Sequence, residues 1–172
     1  MSALTESTLA LIETEGTDVT IRDISNRANV PHSLVARYFG SKEGLISEAI
    51  ATTLPDDVEL ADSLDCVVDA AGTAFDSVLE RPERIRILAQ LLSGGTAPRD
   101  IRPEAPVLET LVRLVEEQCP DVADPRVTAA AIGALSMGWL LVEDYLIEHT
   151  GLADEDRDEV RAQVRALLPR LL

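Results

Sequence analysis

The chain has 172 residues, of which 46% are hydrophobic and only 3% aromatic, and its net charge is −16. This length is sufficient for a sizeable core, in one domain or in a small domain followed by a larger one. The strong negative charge argues against indiscriminate binding to polyanions. The apolar residues are mainly Ala, Leu, Val and Ile at helical spacings, and no long stretch alternates with period two. An all-α protein is therefore predicted.

The first helix is predicted over residues 3–15 and the fourth over Lys42–Thr53, where Pro55 and the acidic residues after it stop the helix. This stop is the natural boundary between a smaller N-terminal domain, residues 1–52, and a larger helical domain, residues 53–172. Further helices are predicted at Leu60–Leu79, Pro82–Leu92, Val107–Cys119, Pro125–His149 and Ala153–Leu171.

Residues 20–45 carry the clearest functional signal, because they form two short helical patterns joined by a tight turn. Thr20 can cap the first helix, with Asp23 completing a capping box. Asn29 tolerates the left-handed conformation that such a turn requires, and Gly40 ends the second helix. This order predicts a helix-turn-helix, whose second helix lies in the major groove of DNA.

The residues in and around this stretch also follow a fixed pattern of types and spacings. The pattern consists of Gly16, Thr20, Ile21, Ile24, Ser25, Ala28, Val30, Leu34, Tyr38, Phe39, Ser41, Lys42 and Leu45. It is similar to the DNA-binding segment of the tetracycline-repressor (TetR) family of bacterial transcriptional regulators. The similarity in motif covers about Leu9–Ile50, and beyond it only the number and order of the helices resemble the family.

The resemblance implies that residues 1–52 are a helix-turn-helix DNA-binding domain and that residues 53–172 are a helical ligand-binding and dimerisation domain. It also implies DNA contacts by position. Tyr38 and Lys42 would hold phosphates, and Thr20 would add a hydroxyl donor. The candidates for base edges are Arg22, His32, Ser33 and Arg37. Ala36 departs from the family, in which an aromatic residue usually supports the backbone contact, and nothing basic precedes Arg22, where the family usually has a basic arm. Each candidate also has a purely structural interpretation, in packing, surface ion pairing or helix initiation.

The last two predicted helices differ in apolar pattern, and the second carries a single apolar stripe of Val160, Val164, Leu167, Leu168 and Leu171. The middle of the first one is apolar on every side, so it must be buried against more than one neighbour. In the resembled family these helices pair with their copies in a second subunit as a four-helix bundle. The resemblance therefore implies a homodimer formed through residues 125–149 and 153–171, and the alternative is that both helices pack only within one chain.

The helices of the larger domain could enclose an apolar pocket, which is the usual form of a small-molecule site. Its candidate lining residues are Phe75, Leu88, Leu92, Leu111, Met137, Trp139 and Leu141, each of which could equally be core. Glu143 and Asp144 stand one turn beyond this apolar run. A buried carboxylate there would favour a cationic ligand, whereas an exposed one would be surface or dimer-rim charge. The pattern does not identify the small-molecule effector.

Catalytic and targeting signals are not visible in the sequence. His32 and His149 are too far apart to suggest a metal site, and no catalytic residue, metal or cofactor is predicted. Cys66 and Cys119 are too few for a disulfide framework, so they are interpreted as reduced thiols or, alternatively, as a redox-sensing pair. No secretory signal is present, and the uncharged run at 127–142 is short for a membrane span. A cytoplasmic protein without a membrane partner is expected.

Two hypotheses on function follow. The first is a dimeric, sequence-specific DNA-binding transcriptional regulator, usually a repressor, that binds double-stranded DNA at a palindromic operator and is released by a small molecule. The second is a helical dimer of the same fold that has weak or lost DNA binding and acts by binding a protein or a ligand. The second is motivated by Ala36, by the missing basic arm and by the charge of residues 1–50, which contain seven acidic and four basic residues.

Overall fold

A computed structural model describes residues 2–16, 19–51, 55–97, 101 and 105–172 of the chain. The regular secondary structure of these residues is helical throughout, which confirms the predicted all-α class. The α-helices, numbered α1 to α10 in chain order, are Ser2–Glu15, Ile21–Arg27, Ser33–Phe39, Lys42–Ala51, Pro55–Asp62, Val67–Glu80, Pro82–Ser93, Pro106–Gln118, Pro125–His149 and Arg157–Arg165. A short 3-10 helix, Leu168–Leu171, follows α10.

The chain folds into two compact units. The N-terminal unit comprises Met1–Asp56 and Glu83–Glu104, and the C-terminal unit comprises Asp57–Pro82 and Ala105–Leu172. Helix α7 thus belongs to the N-terminal unit, because its Ile87 and Leu91 are buried in the same core as the first four helices. The predicted boundary between residues 52 and 53, and the predicted end of the fourth helix, lie outside the described residues. The functional assignment of the two predicted domains stays a prediction.

The N-terminal unit is built around α1 and α4, which pack against each other while α2 contacts α1 and α3 contacts α4. Its core is made of Leu4, Leu11, Ile12, Val19, Ile24, Val35, Leu45, Ile46, Ile87, Leu91 and Ile101. Thr8 is also buried, and its hydroxyl donates to the carbonyl of Leu4 at 2.7 Å, so this hydroxyl is satisfied. Burial of Val35 fixes α3 by its inner face and leaves the outer face free for another molecule.

The C-terminal unit is organised by α6, α8 and α9, which pack pairwise. Its buried core consists of Ala61, Val67, Ala70, Ala71, Ala74, Phe75, Val107, Leu111, Leu114, Val115, Ala129, Ile132 and Leu168. Gly133 allows α8 and α9 to approach closely, since a Cβ at this position would lie only 3.2 Å from Cδ2 of Leu108. Small residues on α6 and α9 therefore set the spacing of this core.

Helix α9 begins as predicted. Asp124 is its N-cap, accepting the N–H of Arg126 at 3.0 Å, and Pro125 occupies the first turn. The Arg126 guanidinium bonds the same carboxylate and lowers the pKa of Asp124 to about 2. By length and composition alone α9 could cross a membrane, with a window of mean hydropathy 1.4. Central helices of soluble proteins meet the same criterion, and α9 here packs against α6 and α8.

The prediction of a single helix over Leu60–Leu79 is wrong, because the chain forms two helices there, α5 and α6. Helix α5 ends at Asp62, where the Ser63 hydroxyl donates to the Leu60 carbonyl at 2.7 Å and closes the last turn. Cys66 then takes an extended conformation as the N-cap of α6. Pro55 begins α5 rather than only ending the preceding helix, because proline is well suited to a first helical turn.

The predicted last helix, Ala153–Leu171, is too long at both ends. Asp156 caps α10 by accepting the N–H groups of Asp158 and Glu159 at 3.0 and 3.1 Å, so the helix starts at Arg157. It ends at Arg165, and the chain continues as a 3-10 turn containing Pro169, which has no N–H to donate to an α-helical bond.

Candidate nucleic-acid interface

The turn between α2 and α3 is held by a pair of backbone hydrogen bonds. The N–H of Asn29 bonds the carbonyl of Asn26 at 3.2 Å, and the N–H of Val30 bonds the carbonyl of Ser25 at 3.0 Å. This is the Schellman arrangement, which requires a left-handed residue just after the helix. Asn29 has φ of +54°, which confirms the predicted turn. The direction of α3 thus follows from one residue that tolerates a positive φ.

The start of α2 is fixed by the predicted capping box. The Thr20 hydroxyl accepts the N–H of Asp23 at 3.2 Å, and the Asp23 carboxylate accepts the Thr20 N–H at 3.0 Å and also its hydroxyl. These bonds, the one from the Thr20 side chain foremost, lower the pKa of Asp23. Because the hydroxyl proton of Thr20 is already shared with Asp23, a bond from Thr20 to a phosphate would have to replace this bond.

The outer face of α3 is exposed along its whole length. Val35 is buried and Phe39 is half-buried, whereas the exposed residues at and near the helix are His32, Ser33, Ala36, Arg37 and Tyr38. His32 occupies the N-cap position without a side-chain capping bond, so its imidazole is not needed to start the helix. Gly40, at φ of +75°, turns the chain toward α4.

A groove of about 1040 Å³ lies on this face of the N-terminal unit. It is lined by Val19, Thr20, Ile21, Arg22, Asn26, His32, Ser33, Ala36 and Lys42. Five of the seven predicted DNA-binding residues are therefore brought together from α2, α3 and α4. The other two, Arg37 and Tyr38, are exposed neighbours on α3, and the Arg37 guanidinium lies 5.6 Å from the centre of the Tyr38 ring.

Asn26 is a polar residue of the groove that sequence reasoning missed. It lies four residues after Arg22, so both project from the same face of α2. That spacing was visible in the sequence and would have identified it. An exposed carboxamide both donates and accepts hydrogen bonds, as a base edge or a phosphate requires. The groove thus combines two cations, Arg22 and Lys42, with short polar side chains.

The seven residues predicted to line a ligand pocket lie in several environments. Phe75 and Leu111 are fully buried in the C-terminal core, while Leu141 is 43% exposed. Leu88 and Leu92 belong to the N-terminal unit. Met137 is half-buried. Trp139 lines a groove of about 530 Å³ together with Leu146, Leu152, Val160, Val164 and Leu167. The assignment of the full set to one ligand pocket stays a prediction.

Glu143 is buried, with 5% of its surface exposed, but its carboxylate is already paired with arginines of the same chain. Arg161 of α10 donates to both oxygens, from Nε at 2.7 Å and from Nη2 at 2.8 Å. Arg157 adds a bond at 3.2 Å, and the Trp139 indole N–H donates at 2.9 Å. The bonds from Arg161 lower the pKa of Glu143 despite its burial. The charge partner is therefore internal, which corrects the cationic-ligand interpretation.

In the N-terminal unit, α2 packs against α1 and α3 packs against α4, and α3 exposes its outer face after a tight turn. This arrangement is that of a helix-turn-helix DNA-binding protein. Comparison with known proteins narrows the class. Residues 4–49 match the family described as bacterial regulatory proteins, tetR family. The match identifies this part of the chain as a tetR-family DNA-binding domain, and it supports a DNA-binding transcriptional regulator.

A sequence relative agrees with this assignment, and solved structures share the fold. The HTH-type transcriptional repressor Rv3405c of Mycobacterium tuberculosis is 28% identical over 152 residues, which cover 88% of this chain and 77% of the relative. The fold is similar to that of SCO4942 from Streptomyces coelicolor, with a TM-score of 0.68, 20% identity and coverage of 99% and 96%. It is also similar to TetR from Acinetobacter baumannii AYE, solved in complex with minocycline, with a TM-score of 0.62, 19% identity and coverage of 98% and 91%.

Proposed function

We propose that this protein is a homodimeric repressor that binds a palindromic operator and is released from it by a small-molecule effector. The groove on the N-terminal unit carries the proposal. It gathers cations and short polar side chains from three helices on one exposed surface. Cations of this kind hold phosphates, and polar side chains at the start of a recognition helix reach base edges. We infer a cytoplasmic location, where such DNA is accessible.

DNA binding is tested by a fluorescence titration with DNA from the protein's own promoter region, repeated at several salt concentrations. Arg37→Ala should relax the preference among base sequences, because an Arg at a guanine edge discriminates by about 1–3 kcal/mol. Lys42→Ala should weaken all sequences alike and reduce the salt slope by about 1. The control is Arg113→Ala, which removes an exposed arginine paired with Glu117 on α8. Absence of sequence-preferring binding at low salt would contradict the proposal.

The dimer is supported by the side of α9 that faces away from the core. Val127, Leu141, Val142 and Tyr145 are 65%, 43%, 45% and 62% exposed on this side. The residues between them are small, and a Cβ at Gly138 would meet no atom within 4 Å. Leu167 and Leu171, beyond α10, are also exposed. Large apolar side chains exposed in a row on one helix are typical of an interface with another protein.

The oligomeric state is tested by light scattering coupled to gel filtration. Ala134→Glu places a charge in the middle of the exposed side of α9 and should convert the dimer to a monomer. Ala123→Glu introduces the same side chain at an exposed alanine before α9 and should leave the dimer intact. If wild-type protein is a monomer at micromolar concentration, the proposed dimer is wrong.

Release by an effector is supported by the family and by the relative that binds minocycline. An effector can act only through different affinities for the DNA-bound and released conformations. Trp139 is the single tryptophan of the chain and lines a groove beside α10, so its fluorescence reports on this region. Compounds, with minocycline as the first probe, are screened for a change in this signal and for release of bound operator DNA. A compound that changes the fluorescence without affecting DNA binding would not be the effector.

Ala36 favours the second candidate function, a regulator fold with weak DNA binding. This exposed alanine lines the groove at the position where the family usually has an aromatic residue. Ala36→Tyr tests the alternative, because it restores a side chain that can donate to a phosphate. If the face binds DNA, this variant should bind several-fold more tightly than wild type to all sequences. Undetectable binding by both proteins would favour the second candidate.

A further inference from the structure

The two cysteines of the chain lie at the same end of the C-terminal unit. Cys66 is the N-cap of α6, and Cys119 directly follows α8 as its C-cap. Helices α6 and α8 pack against each other, and the hydrogen bond from Val67 N–H to Gln118 brings the start of the first to the end of the second. The chain has no other cysteine, and both thiols are free.

The side chain of Gln118 joins these two helix ends. Its Oε1 accepts the N–H of Val67 at 3.0 Å, and its Nε2 donates to the carbonyl of Asp65 at 2.6 Å. The carboxamide therefore spans the backbone on both sides of Cys66, and Cys119 is the next residue after Gln118. We propose that Cys66 and Cys119 are a redox pair, which closes to an intramolecular disulfide on oxidation by a hydroperoxide.

The surroundings of both thiols permit this reaction. Each cysteine is partly exposed, so a small oxidant can reach it. Each one also lies outside its helix, with Cys66 at φ −115° and ψ 128° and Cys119 at φ −121° and ψ 72°. A disulfide needs its two Cα atoms within about 4.4–6.8 Å. Gln118, which precedes Cys119, bonds the backbone on both sides of Cys66, so the two cysteines lie near each other at these helix ends.

The chemistry balances with one hydroperoxide per disulfide. A thiolate attacks the peroxide, so that an S–O bond forms, the O–O bond breaks and an alcohol or water leaves. The second thiol then attacks the sulfenic sulfur, the S–S bond forms, the S–O bond breaks, and water leaves. The two sulfurs lose two electrons in total, which reduce the peroxide. A thiol reductant such as dithiothreitol reverses the product by exchange.

The test uses the reduced full chain, freed of reductant and treated with a small excess of hydrogen peroxide. Intact-mass spectrometry should show the loss of two hydrogen atoms, and a non-reduced digest should yield one cross-linked peptide pair containing Cys66 and Cys119. Both signals should vanish with dithiothreitol and in Cys66→Ser and Cys119→Ser. Addition of oxygen atoms to separate thiols, a covalent link between two chains, or unreacted thiols would each overturn the proposal.

Gln118→Ala tests the positioning of the pair. Without the carboxamide the two helix ends lose their direct link, so disulfide closure should be several-fold slower. The matched control is Glu117→Ala, whose side chain pairs with Arg113 on the exposed side of the same helix. It should close at the wild-type rate. Thermal melting of both reduced variants establishes that they are folded. A closure rate unaffected by Gln118→Ala would show that the link does not position the thiols.

Discussion

The buried carboxylate of Glu143 offers the sharpest test of how the C-terminal unit is held together. It accepts two hydrogen bonds from Arg161 and one each from Arg157 and Trp139, and so connects the last turns of α9 to α10. Glu143→Gln keeps the shape and one acceptor oxygen but removes the charge. Two arginines are then left without the partner that they share.

The size of the effect follows from burial. Breaking a fully buried ion pair costs about 3–5 kcal/mol, whereas exposed pairs contribute about 0–1 kcal/mol. The side chain of Glu143 is 6% exposed, but those of Arg161 and Arg157 are 30% and 50% exposed. We therefore expect Glu143→Gln to lower the free energy of unfolding by about 2–3 kcal/mol. In a chain of this size that corresponds to a fall in Tm of about 5–10 °C.

The measurement is urea and thermal unfolding followed by circular dichroism, at one fixed protein concentration because dimerisation contributes to the apparent stability. Asp158→Asn is the matched control. Its carboxylate lies 3.5 Å from Nη1 of the same Arg161 but is 91% exposed. It should therefore cost less than about 0.5 kcal/mol. Equal effects of the two variants would refute the argument from burial.

The same pair predicts a pH dependence. Hydrogen bonds from Arg161 hold the folded-state pKa of Glu143 below its ordinary value of 4.5. A lowered pKa in the folded state stabilises the protein fully above the unfolded-state pKa, and this stability is lost as pH falls through the folded-state pKa. The difference between wild type and Glu143→Gln should thus be largest near neutral pH and shrink below about pH 4. A difference that grows on acidification would contradict this sign.

Three further substitutions probe single features of the fold, each by urea unfolding. Asn29→Ala must place alanine at positive φ and should destabilise by about 1 kcal/mol, whereas Asn29→Gly should be near neutral. Ser25→Ala removes a buried hydroxyl without a hydrogen-bond partner and should stabilise by about 1 kcal/mol; destabilisation would show that the hydroxyl is satisfied. Gly72→Ala would bring a Cβ to 2.3 Å from Nη2 of Arg165 and displace it from Asp76. Alanine favours a helix over glycine by about 1 kcal/mol, and this gain in stability should be observed in full only in the Arg165→Ala background.

The N-terminal unit shows which features of the fold can be predicted from residues that are close together in the sequence. The capping box at Thr20, the left-handed Asn29 and the break at Gly40 all follow from residues within a few positions of each other, and all are confirmed. Such signals depend on backbone sterics and on hydrogen bonds between near neighbours. For the same reason most of the polar groove residues of α2 and α3 could be predicted, but Asn26 was missed.

The errors lie where distant parts of the chain meet. The non-helical segment before α6 is bonded by Gln118, more than fifty positions away, and this contact could not be predicted from the residues near Cys66. The charge partner of Glu143 likewise comes from another helix. In the sequence, a carboxylate beside an apolar run has the same appearance whether an arginine of another helix or a bound ligand neutralises it.

The order of residue types along the chain was enough to predict the helical class, the helix-turn-helix and the resemblance to the family, because these depend on short-range periodicity and on turn chemistry. Tertiary packing alone decided that α7 joins the N-terminal unit, that Glu143 is neutralised by α10, and that the two cysteines share one end of the C-terminal unit. Each of these facts is a contact between segments far apart in the chain, and the energy of such a contact depends on which surfaces meet.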